Sequence, residues 1–232
     1  MIKIIYGIAL AITLLTLACS NKERNISTDE PLKNDDTVEI EMPHSPSIII
    51  SNTDIIIYPL RLNKGNYTDY SRNTGANYWN IIFNNVITGK SDLLTHKKIL
   101  INHFKIGNNE NQSLNRSLLS NQFIYYEITD SDSDGDKKLT SKDLNKLFIS
   151  NLEGKAFTQI SPKNYSVHSW KIDSDHNLIL LDLIKDTNGD KEFNDKDEIE
   201  YFVYNLKTGV SAKPVFEDAF KTEVKALAKK IL

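Results

Sequence analysis

The chain has 232 residues, a formal net charge of −3 and a single cysteine. A balance this close to neutral, without any block of Lys or Arg, argues against nucleic acid as a partner. One cysteine excludes an intramolecular disulfide. The order of the segments then carries the reading.

The chain opens MIKIIYGIALAITLLTLACS, with Lys3 ahead of an apolar or small-residue run from Ile4 to Leu17. Such a run is too short to span a bilayer and ends in small residues, which is the pattern of a secretory signal peptide. Cys19 sits at its end. Leu17-Ala18-Cys19-Ser20 resembles a bacterial lipobox, with Thr16 where that motif usually has Leu. The resemblance implies cleavage before Cys19, lipidation of Cys19 and anchoring to the bacterial cell envelope. The membrane expected is the outer one, with the protein facing the periplasm or the cell surface. Several acyl chains give the stable anchoring that one chain does not.

Asn21 to Ser47 is rich in Asn, Asp, Glu, Lys, Ser and Pro and poor in large apolar residues. It cannot bury enough surface to offset the entropy of ordering. The expected organisation is a signal peptide over 1–19, a flexible tether over 20–47 and one domain over 48–232, a length sufficient for a proper core.

Within that domain the signal is mostly strand. Short β-branched and aromatic runs recur between turn residues: SIII, DIIIYPLRL, YWNIIFNNV, KKILINHFKI, FIYYEI, KLFISNL, SVHSWKI, NLILLDLI and IEYFVYNL. At the C-terminus the period changes. Phe216, Phe220, Val224, Leu227 and Ile231 fall at helical spacing with charges between them. An amphipathic helix is expected over Phe216 to Ile231, acting as a lid on the domain core.

The strands repeat. IIFNNVITGK from Ile81, LFISNLEGK from Leu147 and YFVYNLKTG from Tyr201 each read as an apolar strand, an Asn, then Val or Leu, and a turn closed by Gly. Asn85, Asn151 and Asn205 are equivalent under this alignment, and each copy follows an earlier strand. The repeating unit is therefore strand, long loop, strand, tight turn, strand. It resembles a blade of the propeller-type repeats of bacterial surface proteins. The fold class expected is mainly β: an open meander repeat, a sandwich or a truncated propeller-like sheet, with one C-terminal amphipathic helix. Three units are fewer than a closed propeller usually needs.

The long loops of the second and third units carry the chemistry. They read DSDGDKKLTSKD from Asp132 to Asp143 and DTNGDKEFNDKD from Asp186 to Asp197, 54 positions on. The first unit has the weakly charged NKGNYTDYSRNTGANY there, so the scaffold does not need the acids in order to turn. Counting from the first Asp of each loop, positions 1, 3 and 5 are Asp132, Asp134 and Asp136 in one, and Asp186, Asn188 and Asp190 in the other. Alternating oxygen donors on a curled loop can converge on calcium, which takes about six to eight hard oxygens. Position 7 (Lys138, Glu192) adds a backbone carbonyl, and position 12 (Asp143, Asp197) closes the shell. Apolar position 8, Leu139 or Phe193, pins the loop.

These loops resemble EF-hand loops, and more closely the dockerin variant, which has Gly at position 4 and Asp at position 12. The resemblance implies two bound Ca2+ ions. Position 6 departs from the pattern: Lys137 and Lys191 replace the usual Gly and must adopt a left-handed backbone at a cost of about 1 kcal/mol. A register for the first loop starting at Asp130 would end on Ser141 and close the shell badly, so the shared register is preferred, with Asp130 as an outer charge. The expected affinity is weak, on the order of 10⁻⁴–10⁻³ M as for extracellular modules, with the second site weaker. Calcium is expected to hold loops between strands, a structural role. Cohesin binding does not carry over, because dockerin loops sit in mostly helical chain.

Catalysis finds little support. Of the five histidines, His168 among them, His44 lies in the tether, His96 and His103 sit near a strand without acid or Cys at ligand spacing, and His176 in KIDSDHN reads as a turn beside Asp173 and Asp175. No nucleophile elbow, phosphate loop or zinc-protease motif occurs. The function expected is a calcium-binding, lipid-anchored envelope protein, not an enzyme. The alternatives are a protein- or glycan-binding accessory module using Trp79 or Trp170, and less so a carboxylate-based hydrolase.

Overall fold

The computed structural model describes residues 45–61, 78–108 and 117–231. The signal peptide, Cys19, His44, nearly all of the tether and most of the first unit's long loop lie outside the described residues. Among the described residues, twelve strands form three consecutive antiparallel meanders, followed by one α-helix. The first comprises β1 (Ile48–Ile49), β2 (Ile55–Arg61), β3 (Tyr78–Asn85) and β4 (Ser91–Leu93). The second comprises β5 (Leu100–Ile106), β6 (Phe123–Thr129), β7 (Lys146–Asn151) and β8 (Thr158–Gln159). The third comprises β9 (Ser166–Asp173), β10 (Leu178–Lys185), β11 (Glu198–Asn205) and β12 (Lys213–Pro214). The first two join at the single pair Tyr78–Ile101 into one sheet, and the third is a sheet of its own. The fold is mainly β, and the sheets do not close into a barrel.

The strand sequences explain the layering. FIYYEIT and KLFISN are nearly continuous apolar runs, and the meander they form is covered on both faces. Ile124, Tyr126, Ile128 and Phe148 pack against Ile57, Ile81 and Phe83 of the first meander. Tyr125, Leu147 and Ile149 point the other way, into Ile179, Leu181 and Phe202 of the third. Alternate side chains of a strand point to opposite faces, so one strand feeds two cores. Both tyrosines are fully buried and reach partners: Tyr125 donates to the carbonyl of Ser120 at 2.8 Å, and the Tyr126 hydroxyl meets Ser150 Oγ at 2.7 Å. The third meander has only one such neighbour. Its β10 alternates buried Ile179, Leu181 and Leu183 with Leu180, 41% exposed.

The three Asn turns correspond, with the second one residue shorter. Asn85 Oδ1 accepts the amides of Ile87 and Thr88, Asn151 Oδ1 those of Glu153 and Lys155, and Asn205 Oδ1 those of Lys207 and Thr208. Each turn closes on a glycine whose amide returns to the Asn carbonyl. At Gly154 a Cβ would lie 2.6 Å from the Phe83 ring, so this turn requires glycine for space as well as for its φ of +75°.

The helix α1 (Asp218–Ala228) forms where the periodicity predicts it. It is not a lid on the core, because none of its residues is buried. The two cores are already closed by meander against meander. The helix instead hangs on β11 through Lys221–Glu200 and Lys225–Glu198 ion pairs of 3.2 and 2.9 Å. Trp170 is also not a surface aromatic platform. It packs on Tyr125 with ring centroids 5.4 Å apart, and its Nε1 donates to Glu127 at 2.9 Å.

Candidate metal-binding loops

The two acidic loops leave β6 and β10, the second strands of their meanders, and return as β7 and β11. Their internal hydrogen bonds match position for position. The position 1 carboxylate holds the amides of positions 4 and 6: Asp132 takes Gly135 and Lys137 at 2.6 and 2.7 Å. Asp186 takes Gly189 and Lys191 at 2.7 and 3.1 Å. Position 3 accepts from position 5, Asp134 from Asp136 at 3.0 Å and Asn188 from Asp190 at 2.8 Å. Position 5 accepts from position 7, Asp136 from Lys138 at 2.7 Å and Asp190 from Glu192 at 2.8 Å. Each acceptor turns the backbone back upon its own side chain, which is why Asp and Asn occupy these places.

Position 6 adopts the left-handed backbone that the shared register requires. Lys137 has φ of +66° and Lys191 of +64°. The amides of both are captured by the position 1 carboxylate, which offsets the Cβ strain.

Position 12 acts as a clasp. Asp143 Oδ1 accepts the Ser133 amide at 2.6 Å and the Ser133 hydroxyl at 3.1 Å, while Oδ2 accepts the Thr140 amide at 2.9 Å. Asp197 repeats this with Thr187 at 2.9 and 3.1 Å and with the Asn194 amide at 3.3 Å. For Asp143, burial works against the charge, but the amides of Thr140, Ser133 and Asp134 outweigh it and hold the carboxyl below the ordinary carboxylate range. For Asp197 the Thr187 amide leads the same lowering. The Ser/Thr at position 2 of each loop, which bonds the position 12 carboxylate, is a part of the loop frame that the sequence reading missed. Its signal was a hydroxyl residue directly after the first Asp in both copies.

Carboxylate oxygens of Asp132, Asp134 and Asp136 lie within 4.8 Å of one another, a grouping that can hold a metal ion. Unit charges at that spacing repel by about 1 kcal/mol in water and about 3 kcal/mol near a protein surface. Asp143 lies outside that group, its oxygens committed to the loop amides. Asp130 is also outside it and pairs with Lys146, which is 8% exposed and also donates to Ser131 Oγ at 3.0 Å. In the second loop Asn188 replaces the middle carboxylate, leaving Asp186 and Asp190 with one amide oxygen. Leu139 and Phe193 are half-buried at position 8.

The described histidines form no comparable grouping. His176 Nδ1 lies 2.7 Å from Asp173 Oδ2 inside the β9–β10 turn, where Asp173 also accepts the amides of Asp175 and His176.

No protein-family model matches the chain, and no curated protein matches it. Among solved structures, the crystal structure of the tricorn protease is similar at 12% identity and a TM-score of 0.38, covering 70% of this chain and 13% of that one. A likeness at that score carries no argument about fold or function.

Proposed function

We propose that this chain is a calcium-held β-meander domain, tethered to the bacterial cell envelope through a lipid on Cys19, in which Ca2+ orders the loops 132–143 and 186–197. The observation that carries the proposal is the agreement of the two loops. A single turn motif can arise from ordinary turn residues, but two loops 54 positions apart share their side-chain acceptors at positions 1, 3 and 5, their left-handed lysine and their position 12 clasp. Asp132, Asp134 and Asp136 would hold the first ion, with the Lys138 carbonyl and Asp143 nearby in the chain. Asp186, Asn188 and Asp190 would hold the second, with Glu192 and Asp197 in the corresponding places. The ion supplies charge neutralisation, and no chemical step is assigned to it.

The lipid anchor rests on the Leu17–Ser20 pattern alone. The reading of a partner-binding accessory module finds no support from Trp170, whose indole is engaged in the interface between the second and third meanders.

The test is a thermal melt of residues 46–232 in EDTA and in millimolar calcium. A ligand at a hundred times its dissociation constant stabilises by about 2.7 kcal/mol, which raises the midpoint by several degrees. The shift is expected to disappear in two steps, with Asp136→Ala and then Asp190→Ala. No shift in about 10 mM calcium, well above the expected affinity range, sinks the calcium reading.

A further inference from the structure

Asn188–Gly189 is the only Asn-Gly pair in the sequence. It occupies positions 3 and 4 of the second acidic loop, and both residues are exposed. In an Asn-Gly pair the following backbone nitrogen reaches the side-chain amide carbon readily, because no Cβ stands in the way. The surroundings are equally open: a Cβ added at Gly189 would meet nothing within 4 Å. Both reacting groups are already held. Asn188 Oδ1 accepts the Asp190 amide at 2.8 Å, which draws electron density from Cγ and stabilises the negative charge that an attack places on that oxygen. The Gly189 N–H, which must lose its proton to attack, donates to Asp186 Oδ1 at 2.7 Å. Nucleophile, base and oxyanion donor thus lie within the five residues 186–190.

We propose that the second loop modifies itself: Gly189 N closes on Asn188 Cγ, and Asn188 is converted to aspartate and isoaspartate. The nitrogen gives its proton to Asp186 as the N–Cγ bond forms. That proton passes to the departing side-chain nitrogen, the Cγ–Nδ2 bond breaks, and ammonia leaves a five-membered succinimide. Water then opens the ring. Opening at Cγ gives aspartate, and opening at the main-chain carbonyl gives isoaspartate. The balance is one water in and one ammonia out, with no redox change. The two products act in opposite directions. Aspartate makes the second loop match Asp132, Asp134 and Asp136 of the first. Isoaspartate lengthens the main chain by one carbon and breaks the spacing of positions 1, 3 and 5. This consequence for an ion rests on the calcium reading, whereas the conversion does not. The first loop has the same frame at Asp134–Gly135, but a carboxylate at position 3 is a poor electrophile.

The test is ageing of the full chain in EDTA at neutral pH. The tryptic peptide 186–191, bounded by Lys185 and Lys191, is followed by mass spectrometry, and isoaspartate is counted by enzymatic carboxyl methylation. The expected result is loss of the Asn188 amide with both products present, at least about tenfold faster than at exposed Asn52, whose successor Thr53 is β-branched. Asp186→Asn keeps an acceptor for the Gly189 N–H but removes the base, and slows the conversion at least about fivefold. Asn188 that survives as long as Asn52 overturns the proposal. So does aspartate without isoaspartate, which marks direct hydrolysis, and so does a rate indifferent to Asp186→Asn. Calcium at about a hundred times its dissociation constant engages Asn188 Oδ1 and slows the conversion at least about tenfold. Conversion undiminished in calcium, with the EDTA results intact, supports the self-modification and sinks the calcium reading alone.

Discussion

The two acidic loops share one hydrogen-bond frame but differ in how they are seated. In the first, Asp143 is 2% exposed and its clasp is tied inward: Ser133 Oγ also accepts the Leu144 amide at 3.0 Å, and Asp130 is paired with the buried Lys146. In the second, Asp197 is only half-buried, and the position matching Lys146 is Glu200, which turns to Lys221 of the helix. The difference follows from the neighbours. The first loop leaves the middle meander, packed on both faces, and the second leaves the outer one. A loop's conformation is thus local chemistry, while the energy stored in its clasp depends on how deeply its meander is buried.

The sharpest way to break this comparison is to remove each clasp. Asp143→Ala is expected to cost roughly 3 kcal/mol, because it leaves partly buried amides and a hydroxyl without an acceptor, whereas Asp197→Ala, at a more exposed clasp, costs about 1 kcal/mol. Equilibrium urea unfolding of the two variants in EDTA measures both, and equal losses would refute the claim that depth separates the loops. The same clasp makes a pH prediction. A carboxyl held below its ordinary value contributes stability that is complete above the unfolded value near 4 and is lost as pH falls through the lower folded value. The melting midpoint in EDTA should therefore fall as the pH is lowered from about 5 to 3, and Asp143→Asn should flatten that profile.

A smaller effect concerns charge count. Asn188→Asp makes the second loop's set match Asp132, Asp134 and Asp136, so calcium titration followed by calorimetry should show its affinity rising several-fold toward that of the first. The smallest concerns position 6. Lys137→Gly and Lys191→Gly relieve a left-handed backbone and should each stabilise the metal-free protein by up to about 1 kcal/mol, less whatever the greater freedom of glycine in the unfolded chain removes. A loss of stability in either would mean that the lysine side chain itself supports the loop.

Much of the fold was legible because strands and turns advertise themselves locally. All nine apolar runs form strands, and the Asn-to-Gly turns recur as the alignment requires. The short edge strands β4, β8 and β12 were not legible. SDL, TQ and KP carry no alternation, and they are strands only because a longer neighbour offers them hydrogen bonds. In the loops, the acceptor positions and the strained lysine followed from spacing. Ser133 and Thr187 did not, since a hydroxyl residue in a polar loop is unremarkable until the position 12 carboxylate is seen closing on it.

The sequence by itself determined the β character, the triple repeat, the position of the helix and the register of both acidic loops. Each of these is written in spacing over a dozen residues or fewer. Only the tertiary structure decided that the middle meander serves two cores, that Trp170 turns inward to Glu127, and that the helix remains outside with its apolar seam open. Those outcomes depend on which faces meet across long stretches of chain. An apolar stripe states that a surface must be covered, and packing alone decides what covers it.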